Sequence, residues 1–419
     1  MRTFVGCDRA QASVLIDSLA VGVAVSLPWS TSATTILVCL WLVALVAAMV
    51  PAIDFVLLAR VLRTPAGALP VGLVLLGIVG MAWAPVSWGE RIGGLDSFPK
   101  LLAIPLLFLQ FQSSPRGYWV LIGFVTSASV LLALSWYIYF APIPPWRIKD
   151  VAVPFKDRIT QGTVLTLCFF GLLEYAADAL KRSRPRAAGL SLVLAALFFL
   201  NIVFATVSRT ALVAVPILLI LFGARHLRCR QMIVFLGALV ALGAVLWGSS
   251  SYLRERITKI PQEIATYDAA RHDTSAGARI EFWKDSIEIM REAPLTGHGT
   301  GAITDAFARL AGAASNATNA HNQILTVGIQ LGFLGIAVLI AMWVAHAWLF
   351  RVPGMASWIG LVVVLENIIA SMFNSQLFDF TTGWIYVFGV GAAGGMVMKG
   401  RIPHTPLYDF SSTIAEPKA

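Results

Sequence analysis

The sequence predicts an all-α membrane protein that crosses the bilayer about twelve times and carries one helical segment outside it. Three observations predict this. The 419-residue chain is 58% hydrophobic and only 13% charged, where a soluble domain carries roughly a quarter charged residues. Its apolar runs approach the ~20 residues that span a hydrocarbon core. The runs are continuous and rich in Leu, Val and Ala, which suits helices rather than alternating barrel strands.

The spans fall near 13–28, 32–49, 69–85, 97–112, 118–140, 159–179, 187–206, 208–223, 231–249, 323–350, 354–374 and 382–398. The first lacks a small-residue cleavage site and is read as a span, not a signal peptide. Pro51–Arg63 is short and carries Asp54, Arg60 and Arg63, so it reads as an interfacial helix. The weakest span, 97–112, holds Pro99, Lys100 and Pro105; losing it would break the parity. With the N-terminus inside, the inside turns hold Arg60/Arg63, Arg116, Lys181/Arg182/Arg184/Arg186, Arg225/Arg228/Arg230, Arg351 and Lys399/Arg401. That is the basic bias expected of cytoplasmic loops. The same bias accounts for the net charge of +9 without nucleic acid. The chain then divides into spans one to nine (1–249), an external helical segment (250–320), spans ten to twelve (321–398) and a polar cytoplasmic tail (399–419). No strong internal repeat is present. Cys39 and Cys168 lie in spans and Cys7 and Cys229 on the inside, so no disulfide framework is expected. No Cys/His spacing suits zinc, and neither metal nor cofactor is expected.

The external segment is small for an independent core and should pack onto the bundle. Arg279–Met290 reads as an amphipathic helix with Ile280, Trp283, Ile287 and Met290 at helical spacing, started by Thr274 or Ser275 and ended by Pro294. Gly297-His298-Gly299-Thr300-Gly301 reads as a turn; it lacks the Lys-Ser/Thr of a P-loop, and substrate-facing amides are its lesser reading. Ile303–Ala311 reads as a second helix.

Four residues on the outer side do not belong to an inert bundle. Arg209 sits between two apolar stretches with almost no loop, where a cation either serves function or snorkels to headgroups. Arg158 begins another span, with boundary and functional readings about even. Arg279 stands near a helix start, where it opposes the dipole and calls for an anionic partner, either Glu281 or a phosphate. Guanidinium suits phosphate because its fork donates two parallel hydrogen bonds. His321 ends the external segment, just before a long apolar run. A histidine there can simply cap or pack. With Thr318 or Asn319 as N-cap it would lie in the first turn, where the helix dipole keeps the ring neutral and able to act as a general base. Asn322 and Gln323 add polar support at the same rim, and Gly328, Gly332 and Gly335 allow close packing behind it. Glu366 and Asn367, inside a span, read as inter-helix hydrogen-bonding groups; Asp379 is external and without an assigned role.

Together these residues resemble the O-antigen ligase family of bacterial inner-membrane glycosyltransferases, related to O-antigen polymerases and protein O-oligosaccharyltransferases. The resemblance rests on His321-Asn322, nine residues, then Gly332-Phe333-Leu334-Gly335; on Ser208-Arg209-Thr210; and on Gly277-Ala278-Arg279 with Trp283 and Gly297-x-Gly299. Arg158 is matched by position alone. The resemblance implies a GT-C-like fold with the external segment in the periplasm. It also implies metal-independent, inverting transfer of a glycan from undecaprenyl diphosphate to a sugar hydroxyl of lipid A–core. It assigns His321 as base and Arg209, Arg279 and Arg158 to the diphosphate. A polymerase with the same donor is the nearest rival. A protein O-glycosylating enzyme is less favoured, since no further soluble domain follows the last span. A lipid-linked glycan transporter would call for a repeat and for charges through the bundle.

Overall fold

The computed structural model describes residues 2–49, 55–141, 152–267, 275–311 and 317–399. In order, the helices are α1 (Arg2–Ser26), α2 (Thr31–Met49), α3 (Phe55–Leu62), α4 (Pro65–Gly80) and α5 (Trp88–Leu95). A 3₁₀ turn (Pro99–Leu102) leads into α6 (Ala103–Ser113), followed by α7 (Gly117–Phe140), α8 (Arg158–Lys181) and α9 (Pro185–Leu200). α9 runs on as a π-helix (Asn201–Thr206). Then come α10 (Arg209–His226), α11 (Cys229–Ser249), α12 (Ser251–Ala265), α13 (Ser275–Glu292), α14 (Ile303–Ala311), α15 (Gln323–Leu349), α16 (Met355–Ser371) and α17 (Phe380–Met398).

This is a polytopic helical membrane protein. Among the described residues seven helices are long and apolar enough to cross a bilayer: α7, α8, α9 with its π extension, α10, α11, α15 and α17. The number rises to nine if two bent pairs each count as one span: α3 with α4, bent by 80°, and α5 with the segment Pro99–Ser113, bent by 42°. The remaining expected spans coincide with shorter apolar stretches, Gln11–Ser26, Thr31–Ala47 and Met355–Ser371. Residues 51–54 of the expected interfacial helix and the tail from 400 lie outside the described residues.

Two apolar clusters hold the bundle. One joins α1, α2, α4, α6, α15 and α17 around Trp41, Phe108 and Phe388. The other joins α7 to α10 with α16 around Phe170, Phe198 and Trp358. α6 sits close on α17 because Gly391, Gly394 and Gly395 leave room for Leu107, Phe108 and Phe111. α11 buries none of its side chains, as suits an apolar helix facing lipid all round.

Polar groups gather at the two ends. At one end Asp17 accepts from Gln110, Ser114 and Arg116, and Glu174 pairs with His226 at 2.7 Å. At the other, α12, α13 and α14 lie against the starts of α10 and α15. Inside the bundle, Thr163 donates to Glu366 at 2.6 Å, an inter-helix bond as expected.

α13 (Ser275–Glu292) takes in the expected helix Arg279–Met290, and α14 spans Ile303–Ala311, as the sequence indicates; Thr274 lies outside the described residues. The buried face of α13 differs. Phe282, Ser286, Ile289 and Met290 face the bundle, while Ile287 is 47% exposed. The reason is Ser286, fully buried because its hydroxyl bonds back to the Phe282 carbonyl, so hydropathy alone misplaces the face. α12 has no counterpart among the expected elements; Pro261 and a run of charges mask its period.

Candidate functional site

The site forms where α15 begins. His321 is not in the helix. The N-cap is Asn322, whose side-chain oxygen accepts from the amides of Ile324 (2.9 Å) and Leu325 (3.2 Å). His321 precedes it with φ +50°, a left-handed conformation uncommon for a side chain of this size. This corrects the expected cap at Thr318 or Asn319. Asn319 instead accepts from the His321 amide at 2.9 Å and from Ser375 at 2.6 Å, which holds the reversed backbone. The Trp283 indole donates to the His321 carbonyl at 3.4 Å, and the Phe282 ring stacks on the imidazole at 5.7 Å between centroids.

The neutral state of His321 therefore has a different origin from a helix dipole. Burial holds its pKa below the ordinary 6.5, and the charge of Arg279 acts in the same direction; the bond to Asn374 opposes both. Nδ1–H donates to Asn374 Oδ1 at 3.3 Å, so Nε2 is the ring nitrogen left to accept a proton.

Asn374 lies on the connector between α16 and α17, which is strapped to the start of α15. Asn322 Nδ2 donates to the Met372 carbonyl (3.2 Å). Gln323 Oε1 accepts from the amides of Leu377 (3.0 Å) and Phe378 (3.2 Å). Thr326 and Ser375 share a hydrogen bond at 2.7 Å. Asn322 and Gln323, expected as supporting residues, thus position backbone; Gln323 is fully buried and presents no group to a substrate.

Behind this rim α15 is broken. Gly332 adopts φ 60° and ψ −158°, a region essentially closed to side chains. The backbone groups freed by the break are taken up by residues 294–301. His298 and Gly299 donate to the carbonyls of Ile329 (2.8 Å) and Gln330 (2.9 Å), and Phe333 donates to that of Pro294 (2.8 Å). Thr300 donates to Gly80, and the Gly301 amide to the Gln330 side chain. The glycine-rich loop therefore spends its amides on the protein, and the reading of substrate-facing amides does not hold. A Cβ on Gly332 would lie 2.4 Å from the Leu295 carbonyl carbon. Gly332→Ala is expected to destabilise by at least about 1–3 kcal/mol from backbone strain alone. Thermal unfolding in detergent checks this, and an unchanged midpoint would remove the constraint.

Arg209 is the first residue of α10, delivered there by the π-helix, by left-handed Val207 (φ 41°) and by Ser208. Its guanidinium grips Glu263 of α12 in two bonds, 3.0 Å and 2.6 Å. Arg209 holds the Glu263 carboxyl below the usual carboxylate range. Arg279 is half-buried on α13. Burial and the nearby charge of Arg209 both act against its own charge, and Glu263 acts for it. Glu281, its proposed bland partner, instead accepts from the Tyr267 hydroxyl. Among the described residues Arg279 makes no ion pair.

Arg209, Arg279 and His321 thus form one electrostatic neighbourhood, joined by the charge of Arg279. Arg158 stands at the start of α8, one turn before Gly162, where that helix packs against Ser208. It donates to the Tyr252 hydroxyl and lies 5.9 Å from that ring. Tyr252 and Glu263 are eleven residues apart on α12, about 16 Å along the helix axis. Glu263, Asn374 and Phe282 were missed by sequence reasoning, and Asn319 was read as a cap. The Glu263 carboxylate could have been suspected only once α12 was recognised; nothing local marks Asn374 or Phe282.

The arrangement can hold a multivalent anion beside a neutral, oriented imidazole at the end of a membrane bundle. Such a site suits a membrane-embedded transferase acting on an anionic lipid-linked substrate. Residues 193–340 match the family described as O-Antigen ligase, the family the motifs resemble. The match takes in Arg209, Arg279, His321 and Gly332, and leaves Arg158 outside. An uncharacterized protein of Haemophilus influenzae is 24% identical over 261 residues, covering 57% of this chain and 61% of the relative. The chain thus spans less than two thirds of that relative's length.

Proposed function

We propose that the protein transfers a glycan from undecaprenyl diphosphate to a sugar hydroxyl of lipid A–core, as an O-antigen ligase of the bacterial inner membrane. The observation that carries this is the pairing of a neutral, oriented imidazole with Arg279, a half-buried cation without an ion-pair partner among the described residues. In the proposed reaction Nε2 of His321 takes the acceptor hydroxyl proton. The acceptor oxygen bonds to the anomeric carbon from the face opposite the leaving group. The bond from that carbon to the phosphate oxygen breaks, its electron pair stays on the diphosphate, and configuration inverts. Arg279 binds the arriving phosphates, and Arg209 exchanges its Glu263 carboxylate for a phosphate, an anion of similar fork geometry. Charge developing on the leaving group is then met by groups already in place. Arg158, at the start of α8 where that helix packs beside Ser208, would also contact the donor. No metal enters the scheme.

The reading implies twelve crossings in a GT-C-like bundle, residues 250–320 in the periplasm and the basic turns in the cytoplasm. The undecaprenyl chain would lie between helices at the lipid face. Purified protein mixed with an undecaprenyl-diphosphate glycan and lipid A–core tests it. Glycan appearing on the core is the expected result. Lengthening of the donor glycan instead would make the protein a polymerase, and no transfer at all would remove the enzymatic reading.

A further inference from the structure

A second feature adjoins His321. A cavity of about 450 Å³ opens between α5, α14, the start of α15 and the connector after α16. Its size falls within the ~300–1,000 Å³ of small-molecule sites. It shares two residues with the histidine, Asn319 and Asn374, which hold the His321 amide and ring. The cavity therefore abuts the ring from the side of these amides.

Its lining has a consistent chemistry. Glu90, Thr304, Thr318, Asn319, Asn374 and Asp379 supply carboxylates, hydroxyls and amides, and Phe378 supplies an apolar surface. Among the described residues no lysine or arginine lines it. Two carboxylates face this space, and the cations near Asp379, Lys100 and Lys156, are not among its lining residues; the carboxylates disfavour a phosphate here, which in the transferase reading leaves the diphosphate to Arg209 and Arg279. Carboxylates, hydroxyls and amides are partners for the hydroxyls of a sugar, and Phe378 suits the apolar face of a sugar ring. Thr304 and Thr318 are exposed and line this space, and among the described residues no hydrogen bond ties either side chain. The backbone around them is fixed by other contacts: the Ala306 amide bonds to Ala302, and Ala317 and Ala320 are buried.

We propose that this cavity is the acceptor subsite, binding the uncharged terminal sugar of the acceptor with its reacting hydroxyl extending past Asn374 to Nε2 of His321, while the arginines hold the donor diphosphate. The assignment rests on the transferase reading above and adds to it which substrate lies on which side of the histidine.

The test measures transfer from an undecaprenyl-diphosphate glycan to lipid A–core while each substrate is varied separately. Thr304→Trp fills the cavity and is expected to raise the acceptor KM at least about tenfold. Thr318→Val removes one hydroxyl at constant shape and is expected to raise it about two- to tenfold. The donor KM should stay within about twofold of wild type for both, a shift well under 1 kcal/mol. Unchanged thermal unfolding in detergent separates these effects from misfolding. A rise confined to the donor KM would assign the cavity to the donor glycan and overturn the proposal. So would equal rises for both substrates, or none. Wild-type protein that transfers nothing to the core sinks the transferase reading itself, an outcome distinct from any of these.

Discussion

Replacing His321 with alanine should reduce glycan transfer by about 10²- to 10⁴-fold, the usual contribution of a positioned general base. That corresponds to roughly 2.7–5.4 kcal/mol of transition-state free energy. Donor binding should survive, because the proposed mechanism gives the diphosphate to the arginines and not to the ring. The fold should survive as well. The Asn322 cap and the strap to the α16–α17 connector use side chains other than the imidazole. Transfer rates and donor affinity measured on the same detergent-purified variant check both parts. A variant that folds normally and ligates at the wild-type rate would end the base assignment.

Arg279→Gln should weaken the donor by about 10- to 150-fold, the loss of a charge-assisted hydrogen bond of roughly 1.5–3 kcal/mol. Arg209→Lys should cost less at the binding step. Its guanidinium already has a carboxylate partner, so part of what it gains from a phosphate it gives up in releasing Glu263. Titration of the donor into each variant orders the two effects. An Arg279→Gln protein that binds donor as tightly as wild type would remove the phosphate role of that residue.

The membrane architecture was legible because hydropathy is cumulative over some twenty residues. Each expected span coincides with an apolar helix, even where α3 with α4 and α5 with α6 turn out to be bent. A local signal also worked at Ile303–Ala311, which is helical as its pattern indicates. Such signals failed where a tertiary contact decides. The cap of α15 lies at Asn322 because Asn319 is drawn instead to the His321 amide and to Ser375, fifty-six residues away. Gln323 looked like a rim residue, but its side-chain oxygen is spent on a connector that sequence places more than fifty residues downstream. Glu263 was hidden inside a helix whose charges obscure its period. The arginines and the histidine stand out in the sequence because charge at a membrane boundary is costly wherever the chain goes. Their partners do not, since partnership is a property of the fold.

The reason given for the neutral state of His321 changed with the structure, from a helix dipole to burial and the charge of Arg279. The pH profile of transfer therefore tests the account most directly. The base must be neutral to work, and its pKa is held below 6.5. Activity should thus be full at neutral pH and fall only as the pH drops through a midpoint below 6.5. In Arg279→Gln a repelling charge is gone, imidazolium forms more easily, and the acid limb should move to higher pH. A wild-type limb above 6.5, or a limb that Arg279→Gln leaves in place or shifts to lower pH, would contradict a general base set by this neighbourhood.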